Sequence, residues 1–266
     1  MIISASRRTD IPACLGEWFM RQIEVGTVNV ANPFNSAQIR HVSLLPKDVD
    51  CIVFWTKDPG PFLSYLPRLE EKYSFYFQFT ITPYGRLFER RLRNKLEIVE
   101  TFRVLSGLIG KHRVHWRYDP VILNHDIDVA YHCLAFEKLC VLLADYTELV
   151  IISFFDMYKR LDPSRLRELT EPEMFELAAI LGGIASRYGL RIQTCGEETD
   201  VSAYGITRGA CINGAFIEQL IGRPLGLERD PYQRTWCECG QSVDIGSYNT
   251  CKNGCIYCYA SRSASI

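Results

Sequence analysis

The chain has no apolar run near the roughly 18–20 residues that a membrane-spanning helix needs. It also has little excess charge, a formal net of −1. The first absence argues against a helical membrane anchor, and the second against nucleic-acid binding driven by electrostatics alone. No G-x-G-x-x-G string follows any apolar segment, so no dinucleotide-binding turn is offered. Low-complexity stretches are missing, and no linker precedes about Leu225. The first residues lack a basic-then-apolar leader, since Met1-Ile-Ile-Ser4 runs straight into Arg7-Arg8-Thr9-Asp10. The expected location is therefore the cytoplasm, where the eleven cysteines are thiols or metal ligands rather than disulfides.

What is present is an alternation of strand-like and helix-like segments. Six apolar runs rich in β-branched and aromatic residues read as strands: Met1–Ser6, Cys51–Thr56, Ser74–Thr82, Arg113–Tyr118, Leu149–Phe155 and Leu190–Cys195. Between them, Leu96, Val99, Phe102 and Leu105 recur at helical spacing, as do Cys133, Phe136, Leu139, Cys140 and Leu143. Thr170-Glu-Pro-Glu173 is a capping box with proline in the first turn, and its helix stops at Gly189. Gln38–Leu44 adds a short strand of unassigned position. Such alternation predicts an α/β fold with a parallel sheet built through right-handed crossovers.

The choice lies between a partial (β/α)6 barrel of the TIM type and an open doubly wound sheet. Each run turns polar at its C-terminal end, with Arg7, Arg8 and Asp10, then Thr56, Lys57 and Asp58, then Gln78, Thr80 and Thr82. Arg117 and Asp119 follow the fourth, Ser153 and Asp156 the fifth, and Gln193, Cys195, Glu197 and Glu198 the sixth. Parallel strands bring these ends to one mouth, where barrel enzymes keep their active sites. The expectation is a partial barrel over 1–224 with a cysteine-rich metal-binding tail, 225–266, packed over that mouth.

The cysteines are unevenly placed. Cys237, Cys239, Cys251, Cys255 and Cys258 all fall in the last 30 residues. Cys14, Cys51, Cys133 and Cys140 sit in apolar runs and read as small core hydrophobes. The C-x3-C-x2-C spacing of Cys251, Cys255 and Cys258 is unusual for zinc, which takes cysteine pairs two to four apart in closed sets of four. Three close thiolates suit a [4Fe–4S] cube, with one iron left open. Cys237 and Cys239 form a C-x-C pair, and with Cys195 and Cys211 they make four ligands for a second iron–sulfur cluster or a zinc ion. In the other reading, the C-x-C pair and two of the final three cysteines hold one zinc in a ribbon.

With the aromatic Tyr257 before its third cysteine, the motif resembles the cluster loop of the radical S-adenosylmethionine superfamily. The string Cys251-Lys-Asn-Gly-Cys-Ile-Tyr-Cys-Tyr-Ala260 is most similar to the spore photoproduct lyase-like branch. Nearly the whole chain also resembles an uncharacterised bacterial and archaeal domain-of-unknown-function family. That likeness rests on Ser6-Arg-Arg-Thr-Asp-Ile-Pro12, Phe54-Trp-Thr-Lys-Asp-Pro59, Trp116-Arg-Tyr-Asp-Pro120 and Asp244-Ile-Gly through Ala260. The superfamily resemblance implies that Cys251, Cys255 and Cys258 bind a [4Fe–4S] cluster and that its open iron binds S-adenosylmethionine. Tyr257 would lie near the adenine, with Thr56 and Thr80 as further cofactor contacts. One electron would then release a 5′-deoxyadenosyl radical, and a flavodoxin or ferredoxin would serve as donor. Two departures stand out. The motif lies at the end of the chain rather than after the first strand, and no G-G-E string follows the second strand, where Thr56 and Lys57 stand instead.

Arg8, Asp10, Lys57, Arg117, Asp119 and Glu197 are the candidate catalytic groups for a small-molecule substrate. Arg7, Arg8 and Asp10 read equally as an anion-binding set or as a structural ion pair. Arg86, Arg90, Arg91, Arg93 and Lys95 form one basic cluster, interrupted by Glu89, which reads as a solvated helix face rather than a nucleic-acid contact. His112, His115, His125 and His132 show no pairing with the cysteines and read as structural. The competing functions are a zinc-stabilised barrel that binds a ligand or partner without redox chemistry and an electron-carrying iron–sulfur protein.

Overall fold

The six expected runs form the body of one parallel sheet in the computed structural model, which describes residues 1–33 and 35–261. The last five positions of the expected tail, 262–266, lie outside the described residues. In chain order the strands are β1 (Ile2–Ala5), β2 (Thr27–Asn32), β3 (Asn35–Ser43), β4 (Cys51–Thr56), β5 (Phe75–Thr80), β6 (Val114–Val121), β7 (Leu149–Phe154), β8 (Arg191–Cys195), β9 (Thr207–Gly209) and β10 (Val243–Asp244). The helices are α1 (Ile11–Cys14), α2 (Gly16–Val25), α3 (Leu66–Glu70), α4 (Lys95–Ile109), α5 (Val129–Leu143), α6 (Glu171–Arg187) and α7 (Gly214–Ile221).

The eight-stranded sheet has the order β10-β1-β4-β5-β6-β7-β8-β9, with every neighbouring pair parallel. An α/β fold with a parallel sheet is what the alternation predicts. The strand count is eight rather than six, because β9 and β10 are only three and two residues long and carry no periodic signal. Closure into a barrel is not among the pairings, whose edges are β10 and β9. The strand expected over Gln38–Leu44 is β3, which pairs antiparallel with β2 in a hairpin outside the main sheet.

From β1 to β9 the sheet grows in one direction. Right-handed crossovers then place their helices on a single face. On that face Phe54, Phe77 and Trp116 pack beneath Phe19, Phe62 and Phe136, with Phe54–Phe77 and Trp116–Phe136 stacked at 4.9 and 5.1 Å. The opposite face carries Ile2, Cys51, Val53, Tyr76 and Ile151, covered by Ile212 and Ile217 from the segment that follows β9. Phe216 on α7 meets the Tyr76 and His115 rings at 5.0 and 4.8 Å. A sheet buried on both faces explains why its strands read as nearly unbroken apolar runs.

Local signals set the helix ends. The Asn94 side chain accepts from Leu96 N at 2.9 Å before α4, and Asp128 accepts from Tyr131 N at 2.7 Å before α5. Glu173 accepts from Thr170 N at 2.8 Å, as the capping box requires. No helix among the described residues is long and apolar enough to cross a membrane.

The tail enters the sheet through β10, where Val243 and Asp244 register with Ile3 and Ser4. The Asp244 carboxylate accepts from Ser4 Oγ (3.0 Å), Ser6 Oγ (2.5 Å), Arg7 N (2.8 Å) and Gly246 N (3.0 Å). Gly246 lies so close to β1 that an added methyl would sit 2.1 Å from Ser6 Oγ and 2.6 Å from Ser6 Cβ. Gly246→Ala should therefore cost about 1–3 kcal/mol through overpacking. Gly107→Ala on α4, whose methyl meets nothing within 4 Å, should stabilise slightly. Urea unfolding of the two variants checks the contrast.

Candidate functional site

Two groups of thiols lie at the C-terminal edge of the sheet. The first consists of Cys195 at the end of β8, Cys211 just beyond β9, and Cys237 and Cys239 in the loop that follows α7. The sulfurs of Cys195, Cys211 and Cys239 all lie within 4.8 Å of one another, and Cys195 and Cys239 are 3.7 Å apart. Cys237 hydrogen-bonds to both Cys195 and Cys239. The Cys239 sulfur also accepts from Cys211 N at 3.2 Å and Ile212 N at 3.5 Å. Hydrogen bonds from Cys195, Cys211 and Cys237 hold Cys239 toward the thiolate, whereas burial pushes Cys211 up to about 12. These residues could hold a metal ion or a cluster.

Arg7 and Arg117 stand beside this group. Arg117 Nη1 donates to Cys211 Sγ, and its Nη2 to Asp119. Both guanidinium carbons lie over the Trp55 ring, at 5.0 Å for Arg7 and 4.9 Å for Arg117. Arg7 Nη2 is buried and has no hydrogen-bond partner among the described residues.

The second group is the tail trio, Cys251, Cys255 and Cys258. Its loop is clamped over the ends of β1, β4 and β5 by backbone bonds, Arg91 N to Asn253 O at 3.1 Å and Ile256 N to Phe88 O at 2.9 Å, with Glu89 bridged to Cys255. Asn253 Nδ2 donates to Asp10 Oδ2 at 2.9 Å, and Tyr259 OH to Arg7 O at 2.8 Å. Gly254 takes a φ of 69°, the left-handed turn that lets the loop reverse between Cys251 and Cys255. Among the described residues the trio does not converge as the first group does, because only Cys195, Cys211 and Cys239 gather three ligand atoms within 4.8 Å.

Cys14, read from sequence as core filler, stands against the trio. Its thiol is hydrogen-bonded to Cys251, which lowers Cys14 and raises Cys251, and it accepts from Lys252 N at 3.4 Å. The apolar neighbours of Cys14 in sequence gave no sign of this, since its partner lies at the other end of the chain. Cys51 and Cys140 are buried as expected, while Cys133 is only partly so.

Between the thiol groups runs a polar network at the strand ends. Asp10 caps α1 by accepting from Ala13 N at 3.0 Å and takes a second bond from Lys57 N at 2.7 Å. Burial raises its pKa, and its oxygens are committed to these internal donors. Lys57 Nζ lies 2.8 Å from the buried Glu89, which also accepts from Lys95, Thr82 and the Tyr257 hydroxyl. Glu89 was read as an interruption in a basic helix face. Its four arginines instead lie in the loop before α4 and Lys95 opens the helix, with Arg93 paired bidentately to Asp58 and Lys95 to Glu89.

Asp119 joins Arg117 to Ser153. Glu197 accepts from Phe154 N at 2.9 Å, and burial together with Asp156 pushes it up to about 8. Thr56 Oγ1 accepts from Asp58 N at 3.1 Å, and Thr80 pairs across the sheet with Arg117. Arg8 is partly exposed, its guanidinium 5.4 Å over the Tyr248 ring. Tyr257, expected beside an adenine, is buried against Tyr84 with its hydroxyl on Glu89. His115 and His132 are buried and far from charge-carrying roles, each lowered by burial.

A family model described as "Domain of unknown function (DUF1848)" matches residues 2–260. No curated protein matches the chain. Among solved structures, one described as a "putative alpha-L-fucosidase" from Bacteroides thetaiotaomicron VPI-5482 shares 11% identity, covers 74% of this chain and 84% of its own, and has a TM-score of 0.31. A likeness that weak carries no argument.

Glu89 is the charge on which the tail's seat depends. Burial alone would raise its pKa, but Lys57 and Lys95 outweigh burial and lower it from 4.5 to about 2. Since the folded carboxyl is the harder one to protonate, its stabilising contribution is complete above about pH 4.5 and is lost as pH falls toward 2. Glu89→Gln leaves two partly buried ammonium groups without their partner and should cost about 1.5–3 kcal/mol at neutral pH. Its stability should also change less than that of the parent between those pH values, as read by thermal melts across pH.

Proposed function

The chain belongs to the family of unknown function that matches residues 2–260, and we propose that it is a radical S-adenosylmethionine enzyme whose tail trio holds a [4Fe–4S] cluster. The observation that carries this reading is the seat of the trio. Its loop lies over the C-terminal ends of three parallel strands, where α/β enzymes gather their reacting groups. The donors also fit such a group: three thiols on one loop, not drawn together onto a single ion. When bound and reduced, the cluster would supply the single electron that cleaves the sulfonium cofactor to a 5′-deoxyadenosyl radical.

The chain's own residues would do the rest. Lys57 places an ammonium beside Cys255 and favours the thiolate form there, against the burial that pushes Cys255 up to about 12. Arg117, with its terminal nitrogens on Cys211 and Asp119, would fix the Asp119 carboxylate at this edge. Glu197 keeps its proton at neutral pH and can give it up at the same edge. The apolar inner face beneath them, from Tyr76 to Phe216, limits water at the site. A soluble one-electron donor of the flavodoxin or ferredoxin class is the partner this chemistry needs.

One observation favours a second reading. Cys14 beside Cys251 offers a fourth thiol. Four cysteines would close the cluster and leave an electron carrier with no iron free for a cofactor. Anaerobic purification followed by iron and sulfide analysis, and then reduction by dithionite with S-adenosylmethionine, separates the readings. The enzyme reading expects a brown chromophore lost in Cys255→Ala and kept in Cys14→Ser, with 5′-deoxyadenosine released. A chromophore lost in both variants, with no 5′-deoxyadenosine released, supports the carrier. A protein with no iron at all sinks both.

A further inference from the structure

The group formed by Cys195, Cys211, Cys237 and Cys239 has a geometry that the tail trio lacks. We infer that these four cysteines form a closed site for one tetrahedral divalent ion of the zinc class, and not a second iron–sulfur cluster. The argument begins with distance. Four sulfurs about 2.3 Å from one ion occupy the corners of a tetrahedron whose edges are about 3.8 Å. The Cys195–Cys239 separation is 3.7 Å, and Cys211 lies within 4.8 Å of both. A cube of four irons and four sulfides must stand between its thiolates, one on each iron. Three sulfurs already this close leave no room for it, and Cys237, which interacts with Cys195 and Cys239 from just outside that trio, supplies the fourth ligand. Nor are they disulfide-bonded, since 3.7 Å is far beyond the roughly 2.05 Å of an S–S bond.

Burial and hydrogen bonding agree with a closed site. Cys211, Cys237 and Cys239 are buried and Cys195 partly so, which suits a site filled by protein ligands. The two backbone N–H groups on Cys239 favour its thiolate and orient the sulfur, as outer-shell donors do around metal ligands. Four thiolates around a divalent ion leave two negative charges. Arg117 donates to Cys211, and Arg7 lies near Cys239 and Cys211. Two guanidinium groups match that surplus, which gives a counter-charge to the buried Arg117 and to the buried Nη2 of the partly exposed Arg7.

The site joins β8 and β9, which pair in the sheet, to the later loop that carries Cys237 and Cys239. Tyr76 OH on β5 donates to Cys211 O at 2.7 Å, and Gln78 Nε2 does the same at 2.7 Å. Arg229 Nε donates to Cys237 O at 2.7 Å, and Gly240 N to Ile212 O at 2.9 Å. The ion would fasten β8, the turn after β9 and the loop carrying Cys237 and Cys239 over the inner face of the sheet. Its role is structural.

Metal analysis of the full chain, with zinc counted separately from iron, tests the inference. About one zinc per chain is expected. It should be lost in Cys195→Ser and Cys239→Ser with iron and sulfide unchanged, while Cys255→Ala should lose iron and keep zinc. Should the serine variants fail to fold, the parent protein still decides. Zinc-edge X-ray absorption should show four sulfurs at about 2.3 Å with no neighbouring metal, and cobalt exchanged into the site should give a tetrahedral tetrathiolate spectrum. A brown chromophore that survives Cys255→Ala but not Cys239→Ser, or a zinc bound by nitrogen or oxygen, would overturn the inference. Zinc present with no iron anywhere would leave this site standing while removing the cluster proposed for the tail.

Discussion

One carboxylate joins the beginning of the chain to its end. Asp10 accepts from Ala13 N at the start of α1, from Lys57 N at the end of β4 and from Asn253 Nδ2 in the tail. A buried carboxylate is costly unless its oxygens are satisfied, so each donor constrains the others. With Asp10 fixed, the loop between Cys251 and Cys255 can only lie over the ends of β1 and β4. Asp244 repeats the device one step along the sheet edge, binding Ser4, Ser6 and Arg7 from β10. The placement of the thiol trio therefore follows from hydrogen bonds that involve no metal.

The winding of the sheet explains why a tail of this kind is needed. A sheet that grows in one direction leaves its second face without crossover helices. Closing on itself would solve that, but β9 and β10 do not pair. Here α7 and the loop carrying Cys237 and Cys239 cover the face instead, and β10 extends the edge beyond β1. The same residues that complete the core thus bring cysteines to the polar edge.

The sequence was most informative where a single segment carries its own signal. Cys51–Thr56 is a strand because every residue of it faces packed neighbours, and Thr170 with Glu173 marks a helix start because the box is local. The polar strand ends were legible for the same reason. What escaped reading depends on partners far along the chain. Cys14 looked like filler until Cys251 came to rest against it, 237 residues later. Glu89 looked like a break in a basic face, yet it is the counter-charge of Lys57 and Lys95 and the acceptor for Tyr257. A grouping of Cys195, Cys211, Cys237 and Cys239 was legible from count alone, but the tightness with which Cys195, Cys211 and Cys239 converge was not.

That tightness separates the two thiol groups in kind. Cys195, Cys211 and Cys239 converge within 4.8 Å beside Arg7 and Arg117, which suits a small ion enclosed by its ligands. Cysteines spread along a loop, partly exposed and set beside Lys57, keep room for a larger group and for a ligand upon it. Trp55 carries the guanidinium groups of both Arg7 and Arg117 over its ring. Arg117 touches Cys211 with one nitrogen and Asp119 with the other, so the closed group and the polar edge share a single rigid side chain. A change in this group would therefore reach the polar strand ends by moving Arg117, without any contact with the tail trio.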